Sequence, residues 1–360
     1  MEQKTMKALV YEGPDKYSLK DVPMPVISDP HDVIGRVTLG AICTSDIHTV
    51  KGELQNVHYP KTMGHECCLE VVEVGSKITH VKPGDLCIVN PGVACGKCLA
   101  CKLGIVVACK NGGVFGSRGP LEGCHAEYVK IPYAHHKNGL IKIPEGLTEE
   151  DVILLPDMLA TAWYGLKNAD FKEGQTLAVI GVGPVGLSAC VLAKKVFGAK
   201  QVIAVDILQN RVDMALNQGI ADLGFNPNTD EVVKKIQEAT GGLGVDVVLE
   251  TPGLEETMAM SVAATRPSGI VSTIAVFSEP LVPMPLLDMI LRNIQLKMGI
   301  QKSEGLEEML EWIKDGKIDT KFMLTHRASL NDLEKGYKIF GDHEDGCVKW
   351  LITPYERPNI

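Results

Sequence analysis

The sequence predicts an α/β chain of two units, an irregular, largely β first domain followed by a doubly wound parallel sheet. Three observations lead there. The first ~150 residues are rich in Val, Ile, Gly and Pro and are cut repeatedly by turn signals such as Glu12-Gly13-Pro14, Lys82-Pro83-Gly84-Asp85 and Pro144-Glu145-Gly146. From Gln175 onward short apolar runs alternate with helical patterns, which is how βαβ units read in sequence. The chain has 360 residues, 45% of them hydrophobic, enough for two cores.

The elements follow in order. An apolar run over 176–181 predicts a strand, 185–197 a helix, 201–206 a strand and 211–218 a helix. The alternation continues with a helix over 230–240, a strand over 245–250, a helix over 255–265 and a strand over 269–276. That pattern predicts about five or six parallel strands with helices on both faces. Amphipathic segments over 305–314 and 330–340 and a closing strand over 349–353 form a tail that returns to the first domain. The expected units are therefore 1–156 with 301–360, and 157–300. No internal repeat or low-complexity segment interrupts them.

Charge and cysteine content narrow the function. The formal net charge is -9, and Lys and Arg are scattered among the acids, so there is no nucleic-acid footprint and no attraction to an anionic membrane. The segment 1–10 has no apolar leader core, and no stretch approaches the roughly 18 uninterrupted apolar residues of a membrane span. The expected location is the cytoplasm. In that reducing compartment eleven unevenly spaced cysteines read as metal ligands in part, not as a disulfide framework.

Gly181-Val182-Gly183-Pro184-Val185-Gly186 matches G-x-G-x-x-G, follows an expected strand and opens an expected helix, the context of a dinucleotide-binding turn. Gly181 allows the tight turn, Gly183 the approach of a pyrophosphate, and Gly186 close packing of helix on strand, with phosphates at the helix N-terminus. Pro184 suits a first helical turn. Asp206, twenty residues past Gly186, is placed to bind the adenosine ribose hydroxyls and to repel a 2′-phosphate, which favours NAD over NADP; the plainer reading is a solvated strand-end carboxylate. Arg211 either shields the ribose or faces solvent. Val276, at the same sheet edge, either touches the nicotinamide side or is a core valine.

Cys95, Cys98, Cys101 and Cys109 form C-x2-C-x2-C-x7-C in a polar loop, so four thiolates can wrap one ion tetrahedrally. A closed four-thiolate site has no open position, which makes it structural. A second set is dispersed: Cys43 in Cys43-Thr44-Ser45-Asp46-Ile47-His48, His65-Glu66 after Gly64, and Asp157 in Leu155-Pro156-Asp157-Met158. Taken singly, a buried Cys is usually a core residue and a His more often a satisfied surface or core residue, so none alone implies a metal.

Together these motifs, in this order over nearly the whole chain, closely resemble the zinc-dependent medium-chain dehydrogenase/reductase family and its alcohol dehydrogenases. The segment Leu155-Pro156-Asp157-Met158 with Thr161 looks like the bacterial secondary-alcohol enzymes. The resemblance implies a GroES-like catalytic domain joined to a Rossmann domain, with Cys43, His65 and Asp157 on a catalytic zinc and Glu66 as an adjacent carboxylate that ligates in some states. Asp46 would fix the imidazole of His65, its alternative being a helix N-terminal carboxylate. Thr161 would touch the nicotinamide or merely pack.

By the same resemblance, zinc lowers the pKa of a bound alcohol, and Ser45 and His48 relay the proton outward while hydride passes to NAD. The plainer readings are a helix cap for Ser45 and an exposed helix histidine for His48. The expected substrate is a small secondary or primary alcohol, or the corresponding ketone. Polyols, threonine and hydroxysteroids are the rivals within the family, and a non-catalytic nucleotide- or zinc-binding protein is the rival outside it. Val57, His58, Met158, Leu291 and Ile294 are candidate pocket residues. The resemblance implies a homo-oligomer, a tetramer before a dimer. One departure stands out: Leu69, preceded by Cys67-Cys68, occupies a position where the family's Gly-His-Glu-x-x-Gly has glycine.

Overall fold

The computed structural model describes residues 4–54, 56–136 and 139–355. Its contacts divide the chain into Met1–Asp157 with Lys321–Ile360, and Met158–Thr320.

The first unit carries three sheets. One of three strands runs in the order Lys16–Pro23, Thr5–Gly13, Lys61–Thr62. A seven-stranded sheet follows the path Leu140–Lys142, Leu86–Val89, Glu66–Val74, Val33–Ala41, Lys349–Thr353, Leu324–Ser329, with Tyr128–Ile131 paired off Val33–Ala41. A two-stranded ribbon, Gly92–Val93 with Gly113–Val114, frames the cysteine loop. Alternation of buried apolar and outward residues holds this register: Met6, Ala8 and Val10 share one face, and Val33, Val37, Leu69, Val71, Cys87 and Val89 meet in one core.

Register in the large sheet sets the site. Ala41 lies opposite Glu66 on one side and opposite Leu351 on the other. The end of Val33–Ala41, the start of Glu66–Val74 and the middle of Lys349–Thr353, from distant parts of the sequence, are thereby held side by side. The closing strand Lys349–Thr353 is the segment of the tail that completes this rung.

Leu69, at the family's glycine position, is fully buried, and space for it comes from the neighbouring strand. A Cβ on Gly35 would lie 2.5 Å from Leu69 Cδ2. The bulk gained on one strand is offset by a missing side chain on the other.

The second unit is a six-stranded, all-parallel sheet in the order Leu223–Phe225, Gln201–Val205, Thr176–Ile180, Val245–Glu250, Thr265–Thr273, Gln295–Met298. Strand order reverses beside Thr176–Ile180, so the crevice that binds a dinucleotide in such sheets opens between its C-terminal end and that of Val245–Glu250. Near-continuous apolar runs mark strands covered on both faces, and Leu177, Ala178, Val179, Val247, Val248 and Leu249 are all buried.

Three expectations need correction. Residues 301–320 belong to the second unit, not the first. The helix Leu306–Lys314 buries Leu306, Met309, Leu310 and Ile313, and the backbone at Gly299 and Gly305 lies against the rings of Tyr164 and Trp163. Asp157 closes the first unit and does not open the second. The strand expected over 269–276 is Thr265–Thr273; Val276 lies beyond it, 41% exposed, and so is not a core valine. The strands Leu223–Phe225 and Gln295–Met298 and the helices Ala160–Asn168 and Leu286–Leu291 are additional elements, the strands too short for a periodic signal.

Candidate active site

Cys43 follows the rung at Ala41 and sits at the N-terminus of the helix Thr44–Val50. Asp46, buried on that helix, faces two ways: Oδ2 accepts the Cys43 backbone N–H at 3.0 Å, and Oδ1 lies 3.0 Å from His65 Nδ1. The two sequence readings of Asp46, helix-end carboxylate and partner of His65, hold at once. His65 enters from Gly64, whose φ of +91° needs a glycine. Asp157 comes from a one-turn π-helix, Leu155–Leu159, an element that recurs at functional sites.

These elements bring one Cys43, His65, Glu66 and Asp157 atom each within 4.8 Å of one another. Asp157 Oδ2 lies 3.2 Å from His65 Nε2. Ser45 Oγ is 3.3 Å from the same nitrogen and 3.4 Å from Cys43 Sγ. Burial pushes His65 towards neutrality, but the Asp46 and Asp157 carboxylates outweigh it and hold the imidazole well above its ordinary value. Glu66 Oε1 is buried without a hydrogen-bond partner. A largely buried cluster of a thiol, an imidazole and two carboxylates, one with an unsatisfied oxygen, calls for a cation, and its mixed S, N and O donors suit zinc.

His48 is partly exposed at the far side of the helix, with Nδ1 bonded to the Glu53 carboxylate, a partner the sequence reading did not foresee.

The second donor set is equally compact. The Cys95, Cys98, Cys101 and Cys109 sulfurs lie within 4.8 Å of one another, with Cys98 and Cys101 at 3.4 Å. Backbone amides of Lys97 and Cys98 hold the Cys95 thiol below its ordinary value, which favours the thiolate that a metal needs. The Cys95 N–H donates to Cys109 Sγ at 3.3 Å, and the Asn111 amide to Cys95 Sγ at 3.6 Å.

In the second unit the glycine loop stands at the point of strand reversal. Gly181 has φ +84°, and a Cβ there would lie 2.5 Å from Thr251 Oγ1, just beyond the strand Val245–Glu250. A Cβ on Gly186 would lie 2.0 Å from the Gly181 carbonyl oxygen. Pro184 opens the helix Pro184–Lys195, followed by Val185. The Asp206 carboxylate, only 7% exposed, accepts the Val182 N–H and the Leu208 N–H, each at 2.9 Å. Arg211 Nη1 is 3.7 Å from Asp206 Oδ2 and faces Gly183, so it does not simply point to solvent. Thr161 lies on the helix Ala160–Asn168 and is half-buried.

Of the expected pocket residues, Met158 is buried, Val57 packs partly against the first unit's core and His58 is exposed. Ile294 is a core residue packed with Val262, Val271 and Met289, and Leu291 is 74% exposed.

Two buried polar residues near the candidate metal donors escaped sequence reasoning. Lys349, fully buried, is ion-paired with Glu66 Oε2. His125, also fully buried, hydrogen-bonds Tyr337 OH and the Ala41 carbonyl. The available signal was a lysine heading the apolar run 349–353.

Comparison with known proteins agrees with this geometry. The alcohol dehydrogenase GroES-like domain model matches residues 29–145, and the zinc-binding dehydrogenase model matches residues 184–315. A probable zinc-binding alcohol dehydrogenase of Mycobacterium tuberculosis is 33% identical, over 98% of this chain and 90% of that protein. The chain belongs to the zinc-dependent alcohol dehydrogenase family. The first unit of this family member is thus its GroES-like domain and the second its Rossmann domain. Its relatives include an L-threonine 3-dehydrogenase of Bacillus licheniformis, 31% identical over 97% of this chain and 99% of that protein. Among solved structures, a putative zinc-binding dehydrogenase of Sinorhizobium meliloti bound to NADP superposes with a TM-score of 0.87, at 28% identity, covering 98% of this chain and 100% of that one. Zinc and a nicotinamide dinucleotide are the cofactors of this zinc-type dehydrogenase.

Proposed function

We propose that this enzyme oxidises a small secondary or primary alcohol, or reduces the corresponding ketone, with NAD as the preferred hydride carrier. The observation that carries the reading is the convergence of Cys43, His65, Glu66 and Asp157 in one buried pocket. Cys43, His65 and Asp157 hold the catalytic zinc, with Glu66 beside them, and the four-cysteine loop holds a structural one. Zinc at the first site supplies Lewis acidity to a substrate oxygen. Asp46 fixes the His65 ring, and the Ser45 hydroxyl, within 3.4 Å of both Cys43 and His65, starts a proton path that ends at His48 on the surface.

Gly181, Gly183, Pro184, Val185 and Gly186 receive the pyrophosphate. Asp206 supports NAD because its buried carboxylate disfavours a 2′-phosphate; Arg211 beside it and the NADP-bound relative make NADP the competing carrier. Thr161 and Val276 contact the nicotinamide side. The L-threonine dehydrogenase among the relatives supports a second reading, an amino-alcohol substrate.

The enzyme is a cytoplasmic homo-oligomer in this reading. The cysteines are not joined in disulfides, which suits a reducing compartment, and no helix among the described residues is long and apolar enough to cross a membrane. Leu286, Leu287, Ile290 and Leu291 expose 62–74% of their surface on one short helix beside the edge strand Gln295–Met298, a patch suited to a second copy.

The test is absorbance of NADH or NADPH as the pure protein meets each oxidised cofactor with secondary alcohols, primary alcohols, polyols, threonine and hydroxysteroids. Zinc content and solution mass are determined on the same sample. NADH formation with a simple alcohol at two zincs per chain supports the reading. Activity confined to threonine selects the second, and two zincs with no turnover on any class overturns both.

A further inference from the structure

We propose that His125 is a positioning residue of the catalytic metal site, fixing the separation between the chain segments that deliver Cys43 and His65. This rests on the zinc reading of that site.

The ring touches both segments. Its Nε2 lies 3.0 Å from the carbonyl oxygen of Ala41, two residues before Cys43. Its face covers Gly64, the residue before His65, so closely that a Cβ there would lie 2.2 Å from His125 Cδ2. Gly64 is pressed from elsewhere by Gly116, whose own Cβ would lie 2.6 Å from the Gly64 nitrogen. The backbone repeats the link: His125 N–H donates to the Met63 carbonyl at 2.8 Å, and Cys124 N–H to that of Gly64 at 3.0 Å.

The hydrogen bonds determine the tautomer. A carbonyl only accepts, so Nε2 carries the proton and donates to Ala41; Nδ1 is then the acceptor for the Tyr337 hydroxyl at 2.8 Å. Tyr337, 2% exposed on the helix Leu333–Gly341, is also in ring contact with Tyr17 at 5.3 Å. Burial pushes His125 below its ordinary value, which keeps the ring neutral beside this fixed pair of partners. A neutral ring with both nitrogens satisfied is a rigid spacer, and the helix bearing Tyr337 thereby couples the returning tail to the metal donors.

The test uses the full-length zinc enzyme. Zinc release to the chelator 4-(2-pyridylazo)resorcinol is followed with time, and the visible spectrum is recorded after cobalt(II) replaces the catalytic metal. In His125→Phe, which keeps the ring but leaves Ala41 and Tyr337 unpaired, catalytic zinc should leave about tenfold faster, the size of effect known for groups that orient ligands. The cobalt spectrum should shift, and release from the four-cysteine site should stay unchanged. His125→Gln, whose amide N–H reaches for the Ala41 carbonyl, should restore most of the retention. Tyr337→Phe, the milder change and the deciding one if His125→Phe does not fold, should move both readouts the same way by less. The proposal is overturned if His125→Phe and Tyr337→Phe hold catalytic zinc and the cobalt spectrum as the parent does, or if both zincs are lost in parallel. A parent protein that binds zinc only at the four cysteines refutes the underlying site reading instead.

Discussion

Lys349 and Glu66 form an ion pair, both side chains being fully buried, in the cluster of candidate metal donors. Burial pushes the Glu66 carboxyl up, the Lys349 ammonium pulls it back, and the Asp157 carboxylate adds to the upward shift. The lysine therefore makes a third carboxylate tolerable in a pocket that already holds Asp46 and Asp157.

Replacing Lys349 by Met leaves a buried carboxylate without its counter-ion. The expected loss is about 3–5 kcal/mol of unfolding free energy. Glu66→Gln combined with Lys349→Met should recover a large part of it. Urea unfolding of the two variants checks this, and equal loss in both would show that the pair is not the source.

Ser45→Ala removes the hydroxyl 3.3 Å from His65 Nε2 but leaves every candidate metal ligand in place. Turnover should fall by about 100-fold, the usual scale for a lost proton-transfer group, at unchanged zinc content. Parent-level turnover in the variant would rule out Ser45 as the start of the proton path.

Cys109→Ser breaks the four-thiolate site and unties the loop between Gly92–Val93 and Gly113–Val114. One zinc of two should be lost, and the melting temperature should drop by roughly 5–10 °C, as a few kcal/mol would produce in a domain of this size. Full stability with both zincs retained would refute the structural assignment.

Asp246 makes stability depend on acid pH. Burial pushes its carboxyl up, but the Thr176 backbone and hydroxyl donors and the Arg266 guanidinium outweigh this and hold it below its ordinary value. A carboxyl lowered on folding stabilises above its unfolded pKa of about 4, and that contribution disappears as pH falls through the folded value. Asp246→Asn should therefore melt below the parent at pH 7, with the gap closing below about pH 4. A gap independent of pH would contradict the assignment.

How much of this was legible in the sequence depended on whether a signal was local. The strands Val245–Glu250 and Lys349–Thr353 begin and end where their apolar runs do, because a covered strand writes its burial directly into consecutive residues. The glycine turn and the four cysteines were equally plain, since their chemistry needs several residues of one type within a few positions. Cys43, His65 and Asp157 carry no such local pattern; they were reached through family resemblance, and the fold alone brings their atoms within 4.8 Å. The sequence by itself thus determined the two-domain α/β plan and the positions of the glycine turn and the four-cysteine loop. The tertiary structure decided that residues 301–320 pack on the second unit, that Gly35 makes room for Leu69, that Lys349 balances Glu66, and that His125 links Tyr337 to the backbone at Ala41. Each of these is a contact between residues far apart in the chain, where a buried polar or bulky group is tolerated only because a distant partner satisfies or accommodates it.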